Sequence, residues 1–217
     1  MYIGRIVAVG KNNAGTLSAL YRVSSRSFPN RTTAVRADAI SIVPKAGHEG
    51  DVHKNPYIAY NCVRIVADGK VAVVTNGSQT DPIAEKIAMG MPVRDALALS
   101  SLALDFEKDD YNTPRVSAIV DLRDESAWLG IVREDGLEAR RIPLEAGKCW
   151  YVATYEENRI SAHHSDAFDA ATADEACDYI LGGGVFAERL NPVTGVAAMA
   201  DGHGGFSLAT KDASAAP

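Results

Sequence analysis

The sequence predicts an α+β fold in which antiparallel sheets carry helices grouped apart from the strands. Three observations predict it. Strand-like segments fill the first third of the chain and return after residue 115, with two helical segments between them. Within those segments apolar and polar residues alternate, the period of a half-buried strand. Asp68-Gly69, whose glycine supplies the positive φ of a tight hairpin, and Asp135-Gly136, a second hairpin turn, each lie between two such runs.

Taken in order, Ile3, Arg5, Val7 and Val9 alternate with smaller residues in a strand over 2–9 that ends at Gly10. After a turn, Leu17, Ala19, Tyr21 and Val23 form one face of a second strand, and Ser18, Leu20, Arg22 and Ser24 the other. A third strand over 33–43, rich in β-branched residues, stops at Pro44, and the three are expected as one meander. Residues 45–56 are polar, lack a helical period and read as a loop. Strands over 60–66 and 70–75 flank Asp68-Gly69. Asp81-Pro82 reads as an N-cap followed by proline at the first helical position, with Met89-Gly90 ending that helix. A second helix runs from Pro92 to about Leu104, with Val93, Ala96, Leu97, Ser100 and Leu104 on one face. Strands follow over 115–122, 128–133, 137–142 and 149–155. Thr172 and Glu175 form a capping box for a last helix that ends at Gly182-Gly183-Gly184, and 196–199 with 206–209 make a closing hairpin. One domain over 1–211 and a disordered tail over 212–217 complete the expectation.

The chain has 217 residues, 47% of them hydrophobic, a formal net charge of −6 and a pI near 5.4. An acidic surface attracts neither nucleic acid nor an anionic membrane, so neither is expected as a partner. There is no secretion signal and no apolar run long enough to span a bilayer, which points to the cytoplasm. Cys62, Cys149 and Cys177 are odd in number and far apart, as free thiols in a reducing compartment would be. The adjacent His163 and His164 point in different directions and have no partners at ligand spacing, so no metal site is expected.

Against that acidic background, Tyr21 to Arg31 gathers Arg22, Arg26 and Arg31 with Ser24, Ser25, Ser27 and Asn30. Guanidinium forks suit phosphate or carboxylate, and the short side chains fill the remaining oxygen positions. Pro29 stiffens the exit of the loop, and a preorganised donor set loses less entropy on binding. The alternative is a solvated loop whose arginines pair with the chain's own carboxylates.

Four blocks carry a resemblance. They are Tyr21-Arg22-Val23-Ser24-Ser25-Arg26-Ser27-Phe28-Pro29-Asn30-Arg31, then Asn55-Pro56-Tyr57-Ile58-Ala59-Tyr60-Asn61-Cys62-Val63-Arg64, then Asn76-Gly77-Ser78-Gln79-Thr80-Asp81, and Asn112-Thr113-Pro114-Arg115. In order and spacing they are similar to the signature of the archaeal-type IMP cyclohydrolases, over roughly residues 1 to 155. The resemblance implies a four-layer αββα sandwich like that of N-terminal nucleophile hydrolases, in a homo-oligomer. Position 2 is tyrosine, so the nucleophile chemistry of that superfamily is not expected from this start.

It also implies a reaction: the carboxamide nitrogen of a formylated aminoimidazole ribotide attacks the formyl carbon, and water leaves. Such a site needs an anion grip, alignment of the reacting groups, an oxyanion donor and proton traffic, and no cofactor. Arg22, Ser24, Ser25, Arg26, Asn30 and Arg31 are candidates for phosphate and base charge, with Arg31 implied near the reacting centre. Tyr60 is the candidate oxyanion donor, against a buried structural tyrosine; Asn61 is placed at an amide edge, and Cys62 either near the substrate or in the core. Asn76 and Gly77 are assigned to ribose or base, because Asp81 at the helix start would repel a phosphate. Glu107 is the proton carrier, against a solvated charge run; Thr113 and Arg115 follow it, with Arg115 either completing the anion site or pairing with Glu107. Arg31, Tyr60 and Glu107 form the catalytic set. A non-catalytic purine-nucleotide-binding protein on the same scaffold, or an amide hydrolase needing processing, are the alternatives.

Overall fold

In the computed structural model, which describes residues 2–214, the chain turns at Asp68-Gly69 as expected. Both residues have positive φ, 56° and 80°, and the Lys70 N–H closes the turn on the Ala67 carbonyl at 3.1 Å. Similar reversals build two sheets whose pairings are all antiparallel. Across the first, the order is β11 (Ser165–Ala167), β10 (Lys148–Ala153), β1 (Ile6–Lys11), β2 (Leu17–Ser24), β12 (Pro192–Ala200), β13 (Phe206–Asp212). The second runs β3 (Arg31–Val35), β4 (Ala39–Pro44), β5 (Tyr60–Val66), β6 (Val71–Thr75), β7 (Arg115–Asp121), β8 (Ser126–Arg133), β9 (Gly136–Arg141).

Strand alternation sorts the apolar side chains into three cores. Val7, Val9, Tyr21 and Val23 of the first sheet meet Ile40, Ile42, Cys62, Val74 and Val116 of the second. On the outer face of the first sheet, Ile6, Ala8, Leu20 and Ala197 pack under Ala176, Cys177 and Ile180 of α4 (Ala173–Gly182). On the outer face of the second, Val71, Val73 and Ile119 pack under Ile83 and Ile87 of α2 (Thr80–Ala88) and Ala96 and Leu97 of α3 (Val93–Leu104). Each fully buried aliphatic side chain contributes roughly 1.5–3 kcal/mol relative to exposure. Helices this short are marginal alone, so the stripe each buries holds it in place. Among the described residues no helix is long and apolar enough to cross a membrane.

The structure corrects several expectations. The single strand over 33–43 is two, β3 and β4, because the exposed run 36–38 reverses the chain and Arg36 N–H meets the Ala39 carbonyl at 2.8 Å. Both belong to the second sheet, so the first three strands form no single meander. The expected loop over 45–56 contains α1 (Asp51–Lys54), followed by a 3₁₀ turn at Pro56–Ile58 where Asn55 Oδ1 accepts the Tyr57 N–H at 2.8 Å. Asp81 is not a cap: α2 begins at Thr80, and the Asp81 carboxylate turns to β5. The Thr172 cap is present, with its Oγ1 accepting the Glu175 N–H at 3.2 Å. The closing hairpin is longer than expected, since pairing runs from Ala200↔Phe206 to Thr194↔Asp212 and Ala213 N–H bonds the Val193 carbonyl at 2.9 Å. Residues 212 and 213 therefore belong to the sheet edge rather than to a disordered tail, and 215–217 lie outside the described residues.

Candidate active site

Alternation along β2 divides the donor loop between two sides of a sheet. Tyr21 and Val23 face the inter-sheet core, so Arg22 and Ser24 face α4. There Arg22, fully buried, donates from Nε to Ser24 Oγ at 2.9 Å, and from Nη1 to the carbonyls of Leu181 and Phe186 at 2.8 and 3.0 Å. Its Nη2 donates to the carbonyls of Arg189 and Leu190. These contacts occupy the whole guanidinium fork in holding the end of α4 and the segment beyond it. Arg22 and Ser24 are thereby removed from the substrate set proposed from sequence.

Beyond the strand the loop behaves differently. Ser25 Oγ accepts the Phe28 N–H at 3.0 Å, Arg26 lies 4.3 Å from the centre of the Tyr2 ring, and the chain re-enters the fold at Arg31, the first residue of β3. Arg31 is 1% exposed and donates from Nε to the Phe28 carbonyl at 3.0 Å, yet its Nη1 has no hydrogen-bond partner. Burial lowers its pKa, against the favourable Tyr60. Asn30 offers its carbonyl to Lys45 N–H at 2.9 Å and does not line the cleft beside Arg31.

That cleft, with a cavity volume of about 50 Å³, has Arg5 and Arg31 in its floor, Ser25, Arg26 and Phe28 on one wall and Tyr155 on another. Arg5 was not predicted, although an arginine on the Val7–Val9 face of an apolar strand is the sequence signal for it. It is 7% exposed, its Nη2 lies 3.7 Å from Glu107 Oε2, its Nη1 donates to Tyr155 Oη at 3.5 Å, and its Nε has no partner. Burial opposes its charge, but Glu107, Tyr60, Tyr21 and Tyr155 hold its pKa above the ordinary range. Behind this floor Tyr60 Oη and Tyr21 Oη are 2.6 Å apart. Burial raises the pKa of both, with Arg31 and Arg5 pulling Tyr60 the other way.

Glu107 is fully buried between two guanidinium groups, 3.7 Å from Arg5 Nη2 and 3.6 Å from Arg115 Nη1, and neither of its oxygens accepts a hydrogen bond. Burial pushes its pKa up to about 7 against the pull of Arg5 and Arg115. It is therefore not part of a solvated charge run. Arg115 is fixed by Nε to the Asp105 carbonyl at 2.8 Å and Nη1 to Gln79 Oε1 at 3.1 Å. Gly77 closes over this pair: a Cβ there would lie 2.7 Å from Arg115 Nη1 and 3.0 Å from Glu107 Oε1. Thr113, fully buried, has both N–H and Oγ1 on the Asp109 carboxylate, at 2.9 and 2.7 Å, and Oγ1 3.0 Å from Tyr155 Oη. It braces Tyr155 and the turn after Glu107.

Three more candidates lie elsewhere. Asn61 faces α2, where Nδ2 donates to Asp81 at 3.0 and 3.1 Å and Oδ1 accepts from Ser41 Oγ at 2.6 Å. With Arg64, 2.8 Å from the same carboxylate, it ties β5 to the helix, so it holds no ligand edge. Cys62 points into the inter-sheet core, its Sγ 3.3 Å from the Ile40 carbonyl and its thiol pKa raised by burial. Asn76 is spent inside: Nδ2 donates to the Pro114 carbonyl at 3.0 Å, and Oδ1 accepts from Gln79 Nε2 and Val116 N–H at 2.9 and 2.8 Å. Among the described residues no three His, Cys, Asp or Glu side chains gather as a metal site.

A two-sheet α+β scaffold with unmade guanidinium bonds at one cleft, and a buried carboxyl and a tyrosine pair behind its floor, is the arrangement that a small-molecule site for an anion and proton transfer would use. Residues 2–204 match the family model described as IMP cyclohydrolase-like protein, and the chain belongs to that family. It is 46% identical over 198 residues to a protein of Methanosphaera stadtmanae named IMP cyclohydrolase, covering 91% of this chain and 94% of that one. Proteins of the same name are 52% identical over 171 residues in Methanocella arvoryzae (78% of this chain, 82% of that one) and 42% over 212 in Methanocaldococcus jannaschii (97% and 99%).

Proposed function

We propose that this protein is an IMP cyclohydrolase, which closes 5-formamidoimidazole-4-carboxamide ribotide to inosine 5′-monophosphate with loss of water in purine synthesis. The observation that carries the reading is the pairing of Arg5 and Arg31 in the floor of one cleft, with Tyr60 and Glu107 behind that floor, in a chain of this family. The carboxamide nitrogen bonds to the formyl carbon while the C=O pair moves onto oxygen. That oxygen then takes one proton from the carboxamide nitrogen and one from the formamido nitrogen as the C–O bond breaks. Arg31 and Tyr60 supply donors to the oxygen as its charge grows. Glu107, with a pKa of about 7, is suited to accept and return the protons near neutral pH. It stands one layer behind the cleft floor, so its proton path runs past Arg5. Ser25 and Arg26 on the wall are assigned to the ribotide's polar end, and Tyr111, 64% exposed at the mouth, to the face of its base.

The helices outside the two sheets support a kinship of the scaffold with N-terminal nucleophile hydrolases. Cytoplasmic location and a homo-oligomer belong to the same proposal. The test is to supply the formylated ribotide to the purified protein and follow the absorbance of inosinate. Stoichiometric conversion is expected, whereas tight binding without product would favour a nucleotide-binding protein that lacks turnover.

A further inference from the structure

We infer that Tyr21 is a positioning residue: it donates its hydroxyl hydrogen to Tyr60, which leaves the Tyr60 hydroxyl hydrogen free for an acceptor outside the pair. This rests on the cyclohydrolase reading of the site and assigns the direction of one hydrogen bond within it.

Only one hydrogen can lie between two phenol oxygens 2.6 Å apart, so one ring donates and the other must find an acceptor elsewhere. The two rings are not equivalent. Tyr21 is fully buried in the inter-sheet core, and among the described residues Tyr60 Oη is the sole hydrogen-bond partner of its oxygen. Tyr60 is partly exposed at the start of β5. If Tyr60 were the donor, the Tyr21 hydrogen would be stranded in an apolar core at the cost of an unmade bond. With Tyr21 as donor that cost disappears, and the orphan hydrogen belongs to the partly exposed ring, beside Arg5 and Arg31.

Arg5 and Arg31, the cationic groups acting on both phenols, make negative charge on either oxygen less costly. As Tyr60 gives up hydrogen-bond density to the reacting oxygen, a donor already seated on its own oxygen stabilises the charge left behind. Tyr21 therefore acts through Tyr60, without touching the substrate.

The experiment is a cycle of Tyr21→Phe, Tyr60→Phe and the double variant, with wild-type turnover of the ribotide measured first. No turnover by the wild type would defeat the functional reading itself and so be told apart from failure of this inference. With wild-type activity in hand, Tyr21→Phe is expected to lower kcat about tenfold to hundredfold with KM changed less than threefold. In the Tyr60→Phe background the same change is expected to cost less than twofold, because its route to the substrate is gone. An equal loss in both backgrounds would make Tyr21 a packing residue, and no loss in either would remove it from the mechanism. A second measurement needs no Tyr21 variant. Proton NMR of the ligand-free wild type should show a slowly exchanging downfield hydroxyl signal that vanishes in Tyr60→Phe, and its absence from the wild type would overturn the inference.

Discussion

Arg22 and Arg31 are nine positions apart, share one loop motif and are both almost wholly buried, yet the structure treats them in opposite ways. Around Arg22, on the outer face of the first sheet, carbonyls from the end of α4 and the segment after it meet the fork. Around Arg31, between the sheets, one nitrogen has no partner, and the same is true of Arg5 Nε and both oxygens of Glu107. A buried polar group left unpaired costs about 1–3 kcal/mol, more if charged, so such groups do not accumulate for the sake of stability. The first region uses arginine to hold the fold. Under the proposed function, the second keeps donors and an acceptor in reserve for a ligand.

The contrast is broken most directly at Glu107. Glu107→Gln is expected to lower kcat by about 10²- to 10⁴-fold and to abolish the limb of the pH–rate profile near pH 7. Its effect on stability has the opposite sign. The carboxyl has a folded pKa of about 7 against an ordinary 4.5, so the folded state holds its proton more tightly. Its stabilisation is complete below pH 4.5 and is lost as pH rises through 7. Glutamine should therefore raise stability at pH 8 by up to about 3 kcal/mol and change little at pH 4, read by urea unfolding. A wild-type rate in this variant would move Glu107 to the structural side of the comparison.

Next comes the pair itself. Arg31→Ala should reduce kcat/KM by about tenfold to hundredfold, the worth of a charge-assisted hydrogen bond, with a thermal midpoint close to wild type. Arg22→Met should do the reverse, costing about 2–4 kcal/mol through the carbonyls it strands, while the folded fraction turns over normally. Calorimetry and steady-state kinetics on both variants test this crossing of effects, and matching behaviour of the two arginines would erase the distinction. The smallest change is expected at Arg26, exposed and stacked on Tyr2, where alanine should raise KM a few-fold and leave kcat and stability alone.

Part of the cleft was legible in the sequence: Ser25, Arg26 and Arg31 line it, and strand alternation is a guide to sides. Tyr60 and Cys62 share a face, as their spacing says, and Glu107 and Arg115 stand together where a short connection re-enters a strand. Arg22 misled because a motif rich in donors reads as one unit, while the strand beneath it sends neighbouring side chains to opposite sides of a sheet. Asn61 and Asp81 were read separately, as ligand contact and helix cap, and they satisfy each other; only a fold that lays α2 on β5 makes that visible. Arg5, Tyr21 and Tyr155 were missed as site residues because each sits in or beside an ordinary apolar strand, and the charges that give them meaning arrive from more than a hundred residues away or from the other sheet.

At Gly77 the missing side chain is itself a constraint on how sequences of this kind can diverge. Alanine, elsewhere the mildest of replacements, would be a wedge driven between a guanidinium and a carboxylate. Drift at position 77 is thus expected together with change at 79, 107 or 115, a covariation that ties a bare stretch of backbone to the chemistry beside it.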